Sequence, residues 1–147
     1  MQDHEHPVAT RVNGLRYLFT AKHHGGWKSP HATWLPTLTD DQEFSVFDDG
    51  DANALSDGAG NLFGALSDGQ GGLDDLGTRG EQIAKFWRAP LDKPWHGFPA
   101  FPLNDDVAMQ NRKGETARPE KSVFDRMLEV GVINRAMWKR LKKGKHA

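Results

Sequence analysis

The sequence predicts an α+β fold, with a small, mainly antiparallel sheet in the N-terminal half and helices towards the C-terminus. Three observations predict it. Leu15, Tyr17, Phe19 and Ala21 alternate with Arg16, Leu18 and Thr20, the period of two of a half-buried strand. Val123, Phe124, Met127 and Leu128, then Met137, Trp138 and Leu141, recur at helical spacing on either side of Gly131. Between these regions, Phe86 to Pro102 (FWRAPLDKPWHGFPAFP) holds four of the eight prolines, which bars a regular helix there. At 147 residues the chain fits one domain, 1–147, large enough to bury a core without staples.

The sheet region is expected over residues 8–66. Asn13-Gly14 suits a tight hairpin turn between strands starting at Val8 and ending at Ala21. His23-His24-Gly25-Gly26-Trp27 then reads as a glycine-broken loop, continued by Pro30-His31. Thr33 to Leu38 and Glu43 to Phe47 are short strand candidates joined by a polar turn, and Asn61 to Leu66 is another. The acidic stretch Asp48 to Gly60 reads as a solvated loop. Its Asp49-x-Asp51-x-Asn53 spacing resembles a calcium loop but has Ala54 where glycine is needed and Gly60 where a bidentate glutamate is needed. No calcium site is expected.

Thr78 and Glu81 have capping-box spacing, and Ile83, Ala84, Phe86 and Trp87 follow, so a connecting helix is expected over 78–88, stopped by Pro90. The segment 89–104 then forms an extended proline and aromatic arm, with both Phe98-Pro99 and Phe101-Pro102 expected trans. After a polar loop, Pro119 suits the first turn of a helix, Gly131 its end, and Asn134 the cap of a second helix, giving a helical hairpin over 119–143. The phrase VFDRMLEVGVINRAMWKRLKKGK resembles the helical hairpins of SHOCT-type modules over about twenty-five residues. It has Asn134 where those modules place a hydroxyl residue, and it lacks their acidic start to the second helix. The resemblance implies a small packing or oligomer-forming element and no activity.

Composition narrows the chemistry. With no cysteine there is no disulfide framework, thiol nucleophile or cysteine zinc site. No run approaches the ~18 apolar residues of a membrane span, and the opening MQDHEHPVAT is polar and acidic, unlike a signal peptide, so a cytoplasmic setting is expected with no membrane partner. A net charge of −1 hides an asymmetry. Residues 29–78 carry ten acidic and no basic side chains, whereas 112–147 carry eleven basic against four acidic. Either the two ends neutralise each other or the basic end meets something anionic, nucleic acid included.

Two functional readings result. The leading one is a small soluble binding or adaptor protein that recognises a partner protein through a Trp/Pro/His-rich surface. Its binding residues would be Trp95, His96, Phe98 and Phe101 in the arm, with Trp27, His31 and Trp34 from the aromatic loop. Proline fixation lowers the entropy such a segment loses on binding, and aromatic residues are the commonest anchors. The alternative is a metal-independent, His-dependent nuclease of toxin type. There His96 and His23 or His24 would act as general base and acid, and Arg88 or Lys93 would stabilise charge on phosphorus. His23 and His24 are neighbours and point apart on an extended chain, so they do not form a metal pair, and neither a metal nor a cofactor is expected.

Overall fold

The computed structural model describes residues 4–9, 16–19, 33–90, 93–102 and 118–147. The elements in chain order are β1 (His4–Ala9), β2 (Arg16–Phe19), α1 (Asp40–Ala52), β3 (Leu62–Gly64), β4 (Ile83–Trp87), β5 (His96–Phe101), α2 (Lys121–Glu129) and α3 (Arg135–Lys142). The α+β class is as the sequence predicts, with an antiparallel sheet and a C-terminal helix pair. The Asn13-Gly14 turn lies outside the described residues. Among the described residues no helix is long and apolar enough to cross a membrane.

Strands β3, β4 and β5 form an antiparallel sheet with β4 in the middle. β1 and β2 form a separate antiparallel ribbon. The ribbon is tied to the sheet where Tyr17 bridges Trp95 in parallel and the Leu18 N–H donates to the Trp95 carbonyl at 2.7 Å. β4 is therefore not the connecting helix expected over 78–88. Ile83 to Trp87 is rich in β-branched and aromatic side chains, and both its faces are needed for burial, which a strand supplies. The apparent capping box instead closes a turn. Gly80 sits at φ 83°, and the Glu81 carboxylate accepts from the Arg79 N–H at 2.9 Å.

The expected arm over 89–104 is likewise corrected, because its second half is β5. Pro99 fits there because β5 is an outer strand of this three-stranded sheet, where a missing N–H costs least. The register shifts between Ile83 and Ala84, opposite Phe101 and Pro99. Phe101-Pro102 is cis rather than trans. The meander over 33–47 does not form either. Trp34 makes one bridge to Gly77, and Glu43 to Phe47 lie inside α1. The helix signal there is a true capping box: Thr39 Oγ1 accepts from the Gln42 N–H at 3.1 Å and Gln42 Oε1 accepts from the Thr39 N–H at 2.9 Å. Asp48 to Ala52 consequently belong to the helix, so only the latter part of the expected acidic loop is a loop.

The sheet divides the interior into two cores. Alternation along β4 and β5 sends Ala84, Phe86 and Trp95 to one side, where they meet Tyr17, Phe19, Trp34, Val46, Phe47 and Leu76. Ile83, Phe98, Ala100 and Phe101 face the other, where Val123, Phe124, Met127, Met137 and Leu141 of the helical hairpin cover them. Helix α1 lies against β3 at the first core because two glycines meet there. A Cβ on Gly50 would collide with the Phe63 carbonyl oxygen, and one on Gly64 with the Val46 carbonyl oxygen. The hairpin over 119–143 is as expected: Asn134 Oδ1 accepts from the Met137 N–H at 2.9 Å, and Gly131 at φ 83° turns the chain between the helices.

Gly97 is the tightest point of the β4–β5 pair. A Cβ there would overlap the Phe86 ring and lie 2.6 Å from the Lys85 carbonyl oxygen. Phe86 is fully buried and cannot withdraw. Gly97→Ala is therefore expected to lower stability by at least ~2 kcal/mol, as overpacking against fixed backbone does. The check is urea denaturation of the two proteins. A midpoint unchanged by the substitution would show that the strand pair can spread.

Candidate functional site

The β4–β5 pair presents different chemistry on its two faces. On the hairpin side, Lys85 pairs with Phe98 and Trp87 with His96 across the strands. The Trp87 and Phe98 rings stack at 5.9 Å with 29° between their planes. The Lys85 ammonium rests 4.1 Å from the centroid of the Trp87 ring and 5.8 Å from that of Phe63. An ammonium over an indole face is attracted by the ring quadrupole. Lys85 is buried, while Trp87 and His96 at the end of the ladder are half-buried. Arg88 and Pro90 follow, both exposed, with exposed Lys93 and half-buried Pro94 leading back into β5. The result is an aromatic, cationic edge held on rigid backbone.

The opposite face holds a closed polar arrangement. The Tyr17 hydroxyl donates to Glu43 Oε2 at 2.5 Å, and Trp34 Nε1 donates to the Gly97 carbonyl at 3.3 Å. Burial pushes the Tyr17 phenol well above its ordinary range, and the Glu43 charge pushes in the same direction. The phenol thus stays protonated and acts as a fixed donor. Tyr17, Glu43 and Trp34 are all buried, so this arrangement locks ribbon, helix and sheet together.

The structure divides the residues singled out in the sequence. Trp34 and Trp95 share the core on the α1 side, and the indole of Trp34 reaches the Trp95–Gly97 stretch. Phe98 and Phe101 lie in the other core. Trp95 packs in one core and Phe98 in the other, so the two do not share a surface. His96 is half-buried at the strand end beside Trp87, and Arg88 is exposed one residue beyond β4. Trp27, His31, His23 and His24 lie outside the described residues. Among the described residues no three His, Asp or Glu side chains gather as metal ligands do.

Lys85, Trp87, Tyr17 and Glu43 escape the sequence reading. Trp87 and Lys85 were hidden by the helix assigned to their segment. A period-two reading of IAKFW would have put them on one face. A second missed signal is an internal repeat, ALSDGAGNL at 54–62 and ALSDGQGGL at 65–73. Both copies fold alike. Asp57 Oδ1 accepts from the Ala59 and Asn61 N–H groups, and Asp68 Oδ1 from those of Gln70 and Gly72. Gly60 and Gly71 take matching positive φ values of 87° and 86°. The two backbone donors hold the Asp68 carboxyl below its usual range. Both are turn-closing devices on the surface.

No family model matches the chain, and neither a curated protein nor a solved structure matches it.

Two measurements test the polar interior. Tyr17→Phe removes a donor from a buried carboxylate and should cost about 1–3 kcal/mol by denaturant unfolding. An unaltered midpoint would mean that the hydroxyl is not needed there. Glu81 is fully buried, and its Oε2 has no hydrogen-bond partner among the described residues. Burial raises its pKa above the ordinary value, against the pull of backbone donors and Arg79. A carboxyl with a raised folded pKa stabilises the fold below its unfolded pKa and loses that contribution as pH rises through the folded one. Glu81→Gln should therefore melt higher than the parent at pH 7, with the gap closing as pH falls into the ordinary carboxylate range. A gap that widens on acidification would reverse the assignment.

Proposed function

We propose that the protein is a non-enzymatic binding module that recognises a partner protein through the end of the β4–β5 pair. The observation that carries this reading is the half-exposed Trp87–His96 cross-strand pair, with Arg88, Pro90, Lys93 and Pro94 beside it. This keeps the Trp/Pro/His character expected of the surface but moves it from Trp95, Phe98 and Phe101 to the residues at the strand ends. Three features support binding. Trp87 is braced by Phe98 on the sheet and by Lys85 over its ring, so it loses little freedom when a partner covers it. Tryptophan and arginine are the side chains that most often dominate interfaces. His96 adds a hydrogen-bonding group across the ladder from Trp87.

The test places a photo-crosslinking residue at exposed Lys93 and compares the parent with His96→Ala and Arg88→Ala. One protein should be captured by the parent. Each substitution should reduce its yield about tenfold, the effect of losing about 1.4 kcal/mol at an interface anchor. Melting temperatures should stay within a few degrees. If His96→Ala instead lowers the melting temperature and leaves capture untouched, the edge is scaffold. RNA cleavage by the purified parent that disappears in His96→Ala would establish the nuclease alternative in its place.

A further inference from the structure

The helical hairpin carries a second, independent surface. From Arg135 to Lys145 there are six basic residues and no acidic one. Met137 and Leu141 face the core, which leaves Arg135, Lys139, Arg140, Lys143 and Lys145 exposed. The hairpin's carboxylates already have partners. Asp125 accepts from Trp138 Nε1 at 2.9 Å and pairs with Lys121 at 3.0 Å, Glu129 pairs with Arg126 at 2.8 Å, and Glu120 reaches the Gly58 N–H.

The cations nearest the core lie against rings and carbonyls, and Lys142 also feels the charge of Asp125. The Lys142 ammonium sits 3.4 Å from the centroid of the Trp138 ring, with the Arg135 guanidinium 5.9 Å from it. Arg118 donates to the Lys142 carbonyl at 2.5 Å and lies 5.5 Å from the Phe101 ring centroid. Rings and carbonyls fix the position of a cation without cancelling its charge. The plainer role for such residues is to complement the negative end of the helix dipole. That accounts for Lys139, Arg140 and Lys142 in the last turn and Lys143 at the cap, but not for Arg135, which opens the helix where a positive charge is disfavoured, with no acidic residue in the first turn to offset it.

We propose that α3 and the residues after it form a docking ridge for the phosphate backbone of a nucleic acid. From Arg135 to Lys143 the helix rises about 12 Å. B-form DNA carries one charge per about 1.7 Å of axis, so a ridge of that length faces several phosphates at once. A single phosphorylated side chain would leave most of these cations unused. An acidic polypeptide presents charge less densely. A membrane surface would call for an apolar face beside the charges, and here Met137 and Leu141 are committed to the core. The stacked cations on Trp138 leave that ring no role in reading bases, so the expected mode is independent of sequence.

The test is fluorescence anisotropy with a labelled duplex DNA and the matching RNA duplex, between 50 and 200 mM salt. The parent should bind at least one of the two, with an affinity that falls on a log–log slope of about −3 to −5, as for four or five neutralised phosphates. The triple variant Lys139→Gln, Arg140→Gln, Lys143→Gln changes only exposed side chains and should melt like the parent. It should bind at least about thirtyfold more weakly at 50 mM salt, with a slope shallower by about 3. Lys93→Gln, one charge removed from the β4–β5 edge, should change neither value. The proposal is overturned if the parent shows no binding to either duplex below about 100 μM at 50 mM salt. It is equally overturned if the triple variant keeps the parent's slope, or if polyglutamate competes as well as unlabelled DNA, charge for charge, which would assign the ridge to an acidic protein. None of these outcomes bears on the Trp87–His96 edge.

Discussion

The pairing of β4 with β5 positions almost everything else, because β4 is buried on both faces and each core is built on one of them. Phe86 shows how much rests on it. Its ring meets Tyr17 at 5.6 Å and Phe47 at 5.2 Å, with Trp34 at 6.4 Å, so ribbon, helix and the 33–38 segment converge on one side chain. Each such ring pair adds about 0.5–1.5 kcal/mol beyond the area it buries. That convergence needs room on the neighbouring strand, and Gly97 supplies it. On the other face, Ile83, Phe98, Ala100 and Phe101 form the floor on which α2 and α3 pack.

Around this centre, the loops are anchored by side chains that reach over long sequence distances. Arg126 Nε donates to the Asn53 carbonyl at 3.1 Å, tying α2 to the end of α1. Asn61 Oδ1 accepts from the Arg88 N–H at 2.9 Å, joining the first repeat loop to the end of β4. Gln82, buried beside β4, donates to the Leu73 carbonyl and accepts from the Ala147 N–H, joining the second repeat loop and the last residue to the sheet. These bonds stop buried or half-buried backbone groups from going unpaired where no ladder serves them. The repeated turns themselves need little outside help, since each aspartate satisfies two N–H groups of its own loop.

Local periodicity made some of this visible in the sequence and concealed the rest. The hairpin was legible because Val123, Phe124 and Met127, then Met137 and Leu141, repeat at 3.6 residues with a glycine between, and nothing distant competes with that pattern. The class was legible for the same reason. β4 was not, because IAKFW is apolar apart from Lys85. A short run of that kind is ambiguous between a buried strand and a buried helix until its partner is known. Thr78-x-x-Glu81 tipped the reading towards a helix, although glycines at 77 and 80 argued for a turn. α1 was missed in the opposite direction, since Glu43 to Phe47 looked like a strand while Thr39-x-x-Gln42 carried the cap. The site was less legible still. The prominence of Trp95, Phe98 and Phe101 came from their size, and size is also what a core requires. Which aromatic remains at the surface depends on strand parity and on where the ladder ends, and neither can be read from composition.

The charge asymmetry of the chain follows a similar logic. α1 carries acidic residues in its first turn, where they complement the helix dipole and Glu43 receives the Tyr17 hydroxyl. On α2, the two ion pairs lie within the helix, between residues three and four apart. Neither end of the chain therefore has its excess explained by a bridge to the other through these pairs. Exposed ion pairs of that kind contribute only about 0–1 kcal/mol, so they would be a weak reason to keep opposite charges in separate segments. Separation has a stronger physical consequence outside the molecule. Like charges gathered on one ridge add their fields and attract an opposite partner from beyond contact distance, whereas interspersed charges cancel. In α3 most of the gathering lies in the last turn, where it complements the dipole, while Arg135 opposes the dipole at the helix start. Self-stabilisation would have placed acidic residues there. Local helix energetics therefore account for the last-turn cations of α3 and leave Arg135 without such a reason.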